Sequence, residues 1–142
     1  HPDSLQSRYQ EKHYTSVDPH WYDYIHEGMR RVVEEAGGTA RQARVKGISI
    51  AGKTGTAENP HGKDHAVFIA FAPIEDPEIA IAVYVENSGF GGTWAAPIAS
   101  LLIEKYLTDS ISRPEMEKKL LEADLIAAEK DYVKPIKKPR RR

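Results

Sequence analysis

Residues 45–57 have the sequence VKGISIAGKTGTA, and the fold of this stretch decides the interpretation of the whole chain. The stretch matches the P-loop pattern G-x-x-x-x-G-K-[ST] of nucleotide-binding enzymes through Gly47, Gly52, Lys53 and Thr54. The same letters contain the tetrapeptide KTGT, which suits different chemistry when it stands at the end of a β-strand. The sequence on either side separates the two interpretations.

The flanking residues argue against a phosphate-binding loop. A P-loop joins a buried strand to a helix, and its backbone amides surround the phosphates. Here the preceding residues 39–46 are basic and lack a clear period, and residues 58–65 (ENPHGKDH) contain Asn-Pro and Gly, which prevent a helix. Val45, Ile48 and Ile50 favour a strand. We therefore interpret the stretch as a strand that ends in KTGT.

Each residue of KTGT has a chemical use beside a cleft. The Lys53 ammonium supplies a positive charge that holds a carboxylate or moves a proton. Gly55 lets a substrate backbone lie flat against the strand. Thr54 and Thr56 offer hydroxyls to a carboxylate, and a backbone N–H here can point at a developing oxyanion. Alternation places Lys53 and Gly55 on one face and the threonines on the other. Taken alone, KTG is more simply an exposed strand end with a solvated lysine.

Two further strands follow in the sequence. Residues 65–73 (HAVFIAFAP) and 79–87 (IAIAVYVEN) are almost wholly apolar and are bounded by turn residues. Such runs are typical of strands that are buried on both faces. The short connection between them favours an antiparallel hairpin.

Helices are expected on both sides of these strands. Asp-Pro at 18–19, followed by apolar residues at helical spacing, predicts a helix over about 19–36 that Gly-Gly at 37–38 ends. A second helix is expected to begin near Thr93. The link before it contains three glycines and is expected to be flexible: Gly89, Gly91 and Gly92.

The C-terminal part predicts one more helix. Residues 112–115 (SRPE) fit a capping box that opens a charged helix over about 113–131. The order helix, strand, strand, strand, helix, helix predicts an α+β fold with helices flanking an antiparallel sheet. We divide the chain into a main part, 1–108, and a charged helix with a basic tail, 109–142.

Composition and charge narrow the function. The formal net charge of the 142 residues is −1, but residues 134–142 (KPIKKPRRR) hold six positive charges and no negative one, which leaves −7 for residues 1–133. We expect this tail to be solvated rather than bound to anionic lipid, and we expect no nucleic-acid partner. The absence of cysteine excludes disulfides, thiol catalysis and cysteine-ligated zinc. No apolar run approaches the length of a membrane span, and the N-terminal residues lack a signal-peptide apolar region.

Three blocks of sequence, taken in order, resemble one known family. They are GMRRVVEEAGGTARQARVKGISIAGKTGTAEN, HAVFIAFAP and IAIAVYVENSGFGGTWAAPIA. Over roughly residues 14–108 the chain resembles the C-terminal part of the transpeptidase domain of class B penicillin-binding proteins, and most closely the elongation-type penicillin-binding protein 2 group. The resemblance implies the penicillin-binding-protein and serine β-lactamase fold. It also implies a serine D,D-transpeptidase that cross-links peptidoglycan stem peptides through an acyl-enzyme and that β-lactams acylate.

The resemblance assigns roles to the KTGT strand. Lys53 would stand near the nucleophile and hold positive potential in the cleft. Thr54 and Thr56 would bind the substrate carboxylate or its β-lactam counterpart. The backbone N–H of Thr56 would form half of the oxyanion hole, which makes Lys53 and Thr56 the expected catalytic residues. Gly55 would leave room for the peptide, and Ala57 completes the expected substrate-binding stretch. No metal and no cofactor are implied.

The chain departs from the family pattern in one respect. None of its eight serines has a lysine three residues later, and none begins S-x-N. The nucleophile, its base and the middle family motif are therefore missing. We expect a C-terminal fragment that is inactive alone, from a parent protein anchored in the bacterial inner membrane with its catalytic domain in the periplasm. The implied partners of that parent are stem peptides, β-lactams, and glycan-polymerising and other elongation-machinery proteins.

The resemblance has a structural consequence. Strand 79–87 would normally pair with a strand from the missing part, so the fragment would expose an unpaired edge and apolar helix faces. Both features favour self-association.

Other interpretations stay open at this stage. A β-lactam sensor shares KTG but only binds, and an inert interaction module is a more distant alternative. His61, Asp64 and His65 could in principle ligate a metal, but a glycine-containing loop does not hold such residues on one face, and solvated loop residues are the simpler interpretation.

Overall fold

The computed structural model describes residue 11, residues 13–130 and residue 132. Helices and a single sheet follow one another along this part of the chain. In order they are α1 (His20–Glu34), a 3-10 turn (Arg41–Ala43), β1 (Ala51–Ala57), β2 (His65–Ala72), β3 (Ile79–Val85), α2 (Ala95–Thr108), α3 (Pro114–Leu121) and α4 (Leu125–Lys130). None of the described helices is both long and apolar enough to cross a bilayer. The basic tail lies outside the described residues, and the division at residue 108 stays a prediction.

The three strands form an antiparallel sheet in the order β1-β2-β3. Lys53 of β1 lies opposite Ile69 of β2, and Ile69 lies opposite Ala82 of β3. The central position of β2 leaves β1 and β3 with one unpaired edge each among the described strands. This arrangement confirms the predicted α+β fold with an antiparallel sheet.

The core lies between one face of the sheet and α2. Phe68 is fully buried on the central strand, and Ile103 is fully buried on α2. Alanines dominate the rest of this interface, which lets the helix approach the sheet closely: Ala66, Ala70, Ala72, Ala95, Ala96 and Ala99. Helix α1 contacts β1, and its His26 ring lies 5.1 Å from the Phe71 ring on the other face of the sheet.

The prediction that strands 65–73 and 79–87 are buried on both faces is wrong for the described residues. In β2 only the alternate residues from Ala66 to Ala72 are buried, and Ile69 on the opposite face is 47% exposed. No residue of β3 is buried, and Tyr84 is 54% exposed. The physical reason is that α2 covers one face of the sheet, whereas no described element covers this part of the other face.

Helix α1 begins one residue after the proline that was expected to open it. The Asp18 carboxylate accepts a hydrogen bond from the backbone N–H of His20 at 3.1 Å, which satisfies one of the donors that a helix start leaves free. The His20 side chain and backbone together lower the pKa of Asp18. At the other end, a Cβ on Gly38 would lie 2.3 Å from the Val32 carbonyl oxygen, so the turn after α1 requires glycine.

The prediction of one capped helix over 113–131 is also wrong. The structure has two short helices, α3 and α4, and the Asp124 carboxylate begins the second by accepting the Ala127 N–H at 2.8 Å. Ser112 does not cap α3, because its hydroxyl donates to the carboxylate of Glu104 on α2. Tertiary bonding to a buried charge has replaced the local capping box.

Glu104 ties α2 to the beginning of α3. This carboxylate is 3% exposed and accepts hydrogen bonds from Arg113 Nε at 3.0 Å and Nη2 at 2.9 Å. The same guanidinium donates from Nη1 to Ser100 Oγ at 3.0 Å and to the Arg44 carbonyl at 3.3 Å. We call Glu104, Ser112 and Arg113 the α2–α3 clamp.

Candidate functional site

The KTGT residues lie in β1, whose outer edge is unpaired among the described residues. Lys53 and Thr56 are exposed, and Thr54, Gly55 and Ala57 are half-buried. An open strand edge presents backbone N–H and C=O groups to which an extended peptide can add as a further strand. The strand therefore has the geometry expected for binding a peptide.

The P-loop interpretation is excluded by the same strand. Lys53 and Thr54 lie inside β1, which continues to Ala57 and turns into β2 rather than into a helix. Gly47 occupies a turn with φ of 83°, between Val45 and Ile48, which form an isolated antiparallel bridge. The match to G-x-x-x-x-G-K-[ST] arises from a turn and a strand, and it has no phosphate-binding geometry.

The Lys53 side chain is turned back along its own strand. Its Nζ donates a hydrogen bond to the Thr54 carbonyl oxygen at 2.7 Å, and the residue is exposed. A solvated ammonium on a flexible stem can exchange a carbonyl for a carboxylate at little cost. The positive charge is therefore available at the strand edge.

Thr54 and Thr56 share a cavity of about 380 Å³ on the α2 side of the sheet. All residues that line this cavity are uncharged: Thr39, Gln42, Thr54, Thr56, Phe90, Gly91, Gly92 and Thr93. Lys53 does not line it, as strand alternation predicts. Four hydroxyls and one amide thus provide hydrogen bonds in this cavity, and the Lys53 charge lies on the same strand but outside the cavity lining.

Gly55 has a structural role beside the expected functional one. A Cβ on Gly55 would lie 3.3 Å from the Cβ of Val67, its cross-strand neighbour, which is a tight contact. Part of the space left by the missing side chain is therefore already used by Val67.

The loop between β3 and α2 lies directly on the KTGT strand. A Cβ on Gly91 would lie 2.2 Å from the Val67 carbonyl oxygen and 2.6 Å from that of Gly55. A Cβ on Gly92 would lie 2.2 Å from the Thr39 carbonyl oxygen. The prediction of a flexible link is wrong for Gly91 and Gly92, because both are required for close contact between backbones. For Gly89 it stays a prediction, since nothing lies within 4 Å of a Cβ there.

Thr39 reaches the KTGT strand from the turn after α1. Its Oγ1 lies 2.8 Å from Thr54 Oγ1, and either hydroxyl can be the donor. Four residues of the cavity lining were not predicted from the sequence: Thr39, Gln42, Phe90 and Thr93. No local pattern marks them, because tertiary packing alone brings them to β1.

The 58–65 loop uses its candidate metal ligands in other ways. Asp64 Oδ1 accepts the Asn59 N–H at 3.1 Å, and His65 Nδ1 accepts the Asn87 N–H at 3.0 Å. Across the described residues, no three His, Cys, Asp or Glu side chains are placed to hold a metal ion. The loop therefore packs against the end of β3 through hydrogen bonds.

A larger open cleft of about 870 Å³ lies beyond the N-terminal end of β1. Both of its carboxylates that face the cleft are already engaged, since a Glu34 oxygen lies 3.5 Å from Arg44 Nε and Glu75 accepts a hydrogen bond from Ser49 Oγ at 2.5 Å. It does not include the KTGT residues. Chemistry, rather than size, points to the smaller cavity.

Comparison with known proteins places these features in a family. Residues 4–104 match the model of the penicillin binding protein transpeptidase domain. The peptidoglycan D,D-transpeptidase MrdA of Haemophilus influenzae is 36% identical over 107 residues, which make up 64% of this chain but only 16% of that relative.

Solved structures of penicillin-binding proteins resemble the chain in fold and sequence. Pseudomonas aeruginosa PBP2, in complex with WCK 5153, matches 68% of this chain and 21% of its own, with TM-score 0.61 and 41% identity. The ceftriaxone acyl-enzyme of penicillin-binding protein A from M. tuberculosis matches 65% of this chain and 22% of its own, with TM-score 0.57 and 39% identity. Helicobacter pylori PBP2, solved in complex with MreC, matches 66% of this chain and 18% of its own, with TM-score 0.56 and 29% identity.

The match to the family model, residues 4–104, includes α1, the KTGT strand β1 and most of α2. The chain therefore belongs to the penicillin-binding protein transpeptidase domain family, in the group of the elongation-type PBP2 and MrdA proteins, and it spans a minor part of the length of those relatives.

Proposed function

We propose that this chain forms one wall of the active-site cleft of a serine D,D-transpeptidase that cross-links peptidoglycan stem peptides and is acylated by β-lactams. We call the strand residues Lys53, Thr54, Gly55 and Thr56 the KTG wall. The observation that carries the proposal is the position of KTGT at an open strand edge, beside a cavity that Thr54 and Thr56 line. Relatives named as D,D-transpeptidases, and a relative solved as a ceftriaxone acyl-enzyme, support it.

The residues of the wall fit the steps of acyl transfer. The stem peptide lies along β1, and its terminal carboxylate accepts hydrogen bonds from the hydroxyls of Thr54 and Thr56 near the Lys53 charge. Attack by a serine oxygen on the peptide carbonyl creates a tetrahedral oxyanion, which the Thr56 N–H stabilises. Expulsion of the leaving amine gives the acyl-enzyme, and an acceptor amine then attacks its carbonyl to form the cross-link.

The nucleophile in this proposal belongs to a larger parent protein. None of the serines in the sequence is followed by lysine at the third position, so the S-x-x-K serine and its base must come from outside these residues. The parent is proposed to be anchored in the inner membrane with this wall in the periplasm. An MreC-type protein is a proposed partner, by analogy with the complex from Helicobacter pylori.

Fluorescent penicillin tests the proposal on the full-length parent. We expect a label that survives denaturation, and we expect Lys53→Ala to slow labelling at least about tenfold, because a charge-assisted contact worth about 1.5–3 kcal/mol is lost. Lys46→Ala is the matched control, since Lys46 is an exposed lysine like Lys53 but lies before β1 and outside the KTGT strand. A parent that is labelled but does not cross-link stem peptides would instead be a β-lactam sensor. A parent that takes no label contradicts the proposal.

A further inference from the structure

Thr39 is held firmly although it lies outside any helix or strand. The next residue, Ala40, is fully buried, and its N–H donates to the Val32 carbonyl of α1 at 3.0 Å. On the other side, the backbone of Gly92 lies so close to the Thr39 carbonyl that no Cβ fits between them. The Thr39 main chain is therefore fixed between α1 and the loop that precedes α2.

This fixed backbone delivers the Thr39 hydroxyl to the KTGT strand. Thr39 Oγ1 lies 2.8 Å from Thr54 Oγ1, and both side chains line the uncharged cavity. Thr39 is exposed and Thr54 is half-buried, so both hydroxyls are accessible from the cavity. A ligand in the cavity would exclude water from this pair and strengthen the bond between them.

The number of protons decides the direction of this hydrogen bond when a carboxylate is bound. A threonine hydroxyl has one proton to donate and two lone pairs that accept. A carboxylate offers no proton, so Thr54 can bind it only by donating its own. The Thr54 proton cannot then go to Thr39, and Thr39 must be the donor in the pair.

We propose that Thr39 is a positioning residue, whose hydroxyl donates to Thr54 Oγ1 and so directs the Thr54 proton at the carboxylate of the bound stem peptide or β-lactam. The inference rests on the proposed function, in which Thr54 binds that carboxylate. Without the Thr39 hydroxyl, the Thr54 side chain loses its hydrogen-bonded partner and is free to rotate away from the ligand.

The test uses the full-length parent and two ligands that differ only in the carboxylate, benzylpenicillin and its methyl ester. The second-order rate of acylation is measured by mass spectrometry for wild type, Thr39→Val and Thr39→Ser. Thr39→Val is expected to slow acylation by benzylpenicillin about 3- to 10-fold, the range of one hydrogen bond, and to leave the rate with the ester within about twofold. Thr39→Ser keeps the hydroxyl and is expected to stay close to wild type.

The double variant Thr39→Val/Thr54→Val tests whether the two hydroxyls act as one unit. It is expected to be no slower with benzylpenicillin than Thr54→Val alone. The ratio of acid to ester rates is internal to each preparation, so it is insensitive to the fraction of folded protein.

Three results would overturn the inference. The first is an acylation rate with benzylpenicillin that Thr39→Val leaves unchanged. The second is an equal fall in the acylation rates of both ligands, which indicates general structural support. The third is additive falls in acylation rate in the double variant. A wild-type parent that forms no adduct with benzylpenicillin overturns the proposed function and this inference with it. A normal wild-type adduct together with one of the three results overturns this inference alone.

Discussion

Replacing Glu104 with glutamine should destabilise the chain more than any exposed substitution on α2. Glu104→Gln keeps the shape of the side chain but removes the charge and turns one acceptor into a donor that faces Arg113. Glu104 is 3% exposed, and the Arg113 side chain is 19% exposed in this ion pair, so solvent screens the interaction weakly.

The loss in the free energy of unfolding depends on how well the remaining partners satisfy Arg113. Breaking a buried ion pair by removing one partner costs about 3–5 kcal/mol. Arg113 keeps Ser100 Oγ and the Arg44 carbonyl as acceptors and is one-fifth exposed, so the lower end applies. We expect a loss of about 3 kcal/mol, which is about a 150-fold change in the unfolding equilibrium constant.

Urea denaturation, followed by tryptophan fluorescence, measures the difference in the free energy of unfolding. Lys105→Ala is the matched control, because Lys105 is on the same helix and pairs at 2.8 Å with Asp109, the residue after the helix, through side chains that are 54% and 99% exposed. Such an exposed pair contributes less than about 1 kcal/mol. Equal and small losses in both variants would refute the reasoning, since burial would then make no difference.

The pH dependence provides a second check on the clamp. Burial alone raises the pKa of Glu104, but the hydrogen bonds from Ser112 and Arg113 and the Arg113 charge outweigh it and leave this pKa below its ordinary value of 4.5. A carboxyl with a lowered folded-state pKa stabilises the fold above the unfolded-state pKa, and this contribution is lost as the pH falls through the folded-state pKa. The difference in the free energy of unfolding between wild type and Glu104→Gln should therefore become smaller as the pH falls below 4.5.

The remaining predictions concern the site and the sheet edges. Gly91→Ala should lower the free energy of unfolding, measured by urea denaturation, by about 1–3 kcal/mol, because a Cβ would meet two backbone oxygens. Gly37→Ala is the control and should lower it by less than about 1 kcal/mol, because nothing lies within 4 Å of a Cβ there. Equal losses in the two variants would contradict the packing of the Gly91 loop on β1. Self-association through the unpaired edge of β3 should appear as a rise of sedimentation coefficient with concentration and should weaken in Ala82→Lys, a charge at an exposed edge position; a clean monomer at high concentration would contradict it. This chain alone should retain no fluorescent penicillin after denaturation, because no S-x-x-K occurs in it; a retained label would contradict the assigned nucleophile.

The sequence predicts the order of elements better than their surroundings. Apolar runs identified β2 and β3 to within two residues, because local composition sets where a strand begins and ends. The same apolar runs predicted burial on both faces, which is wrong, because burial depends on which other elements cover the sheet. An apolar residue such as Ile69 stands exposed here, with no described element over it.

The site divides in the same way. KTGT is visible in the sequence because its residue types carry the chemistry at fixed spacing. Thr39 and Gly92 are not, because a hydroxyl 15 residues before Thr54 and a glycine after β3 reach the strand only through tertiary packing. The capping box predicted at Ser112 is absent for the same reason, because tertiary packing places the buried Glu104 carboxylate where it accepts the Ser112 hydroxyl.

Acylation of the full-length parent by fluorescent penicillin tests most directly whether this strand is the wall of a transpeptidase cleft. We predict a covalent label on the wild-type parent, with a labelling rate that Lys53→Ala lowers at least about tenfold and Lys46→Ala leaves unchanged. A parent that takes no label, or one whose labelling rate is indifferent to Lys53, would contradict it.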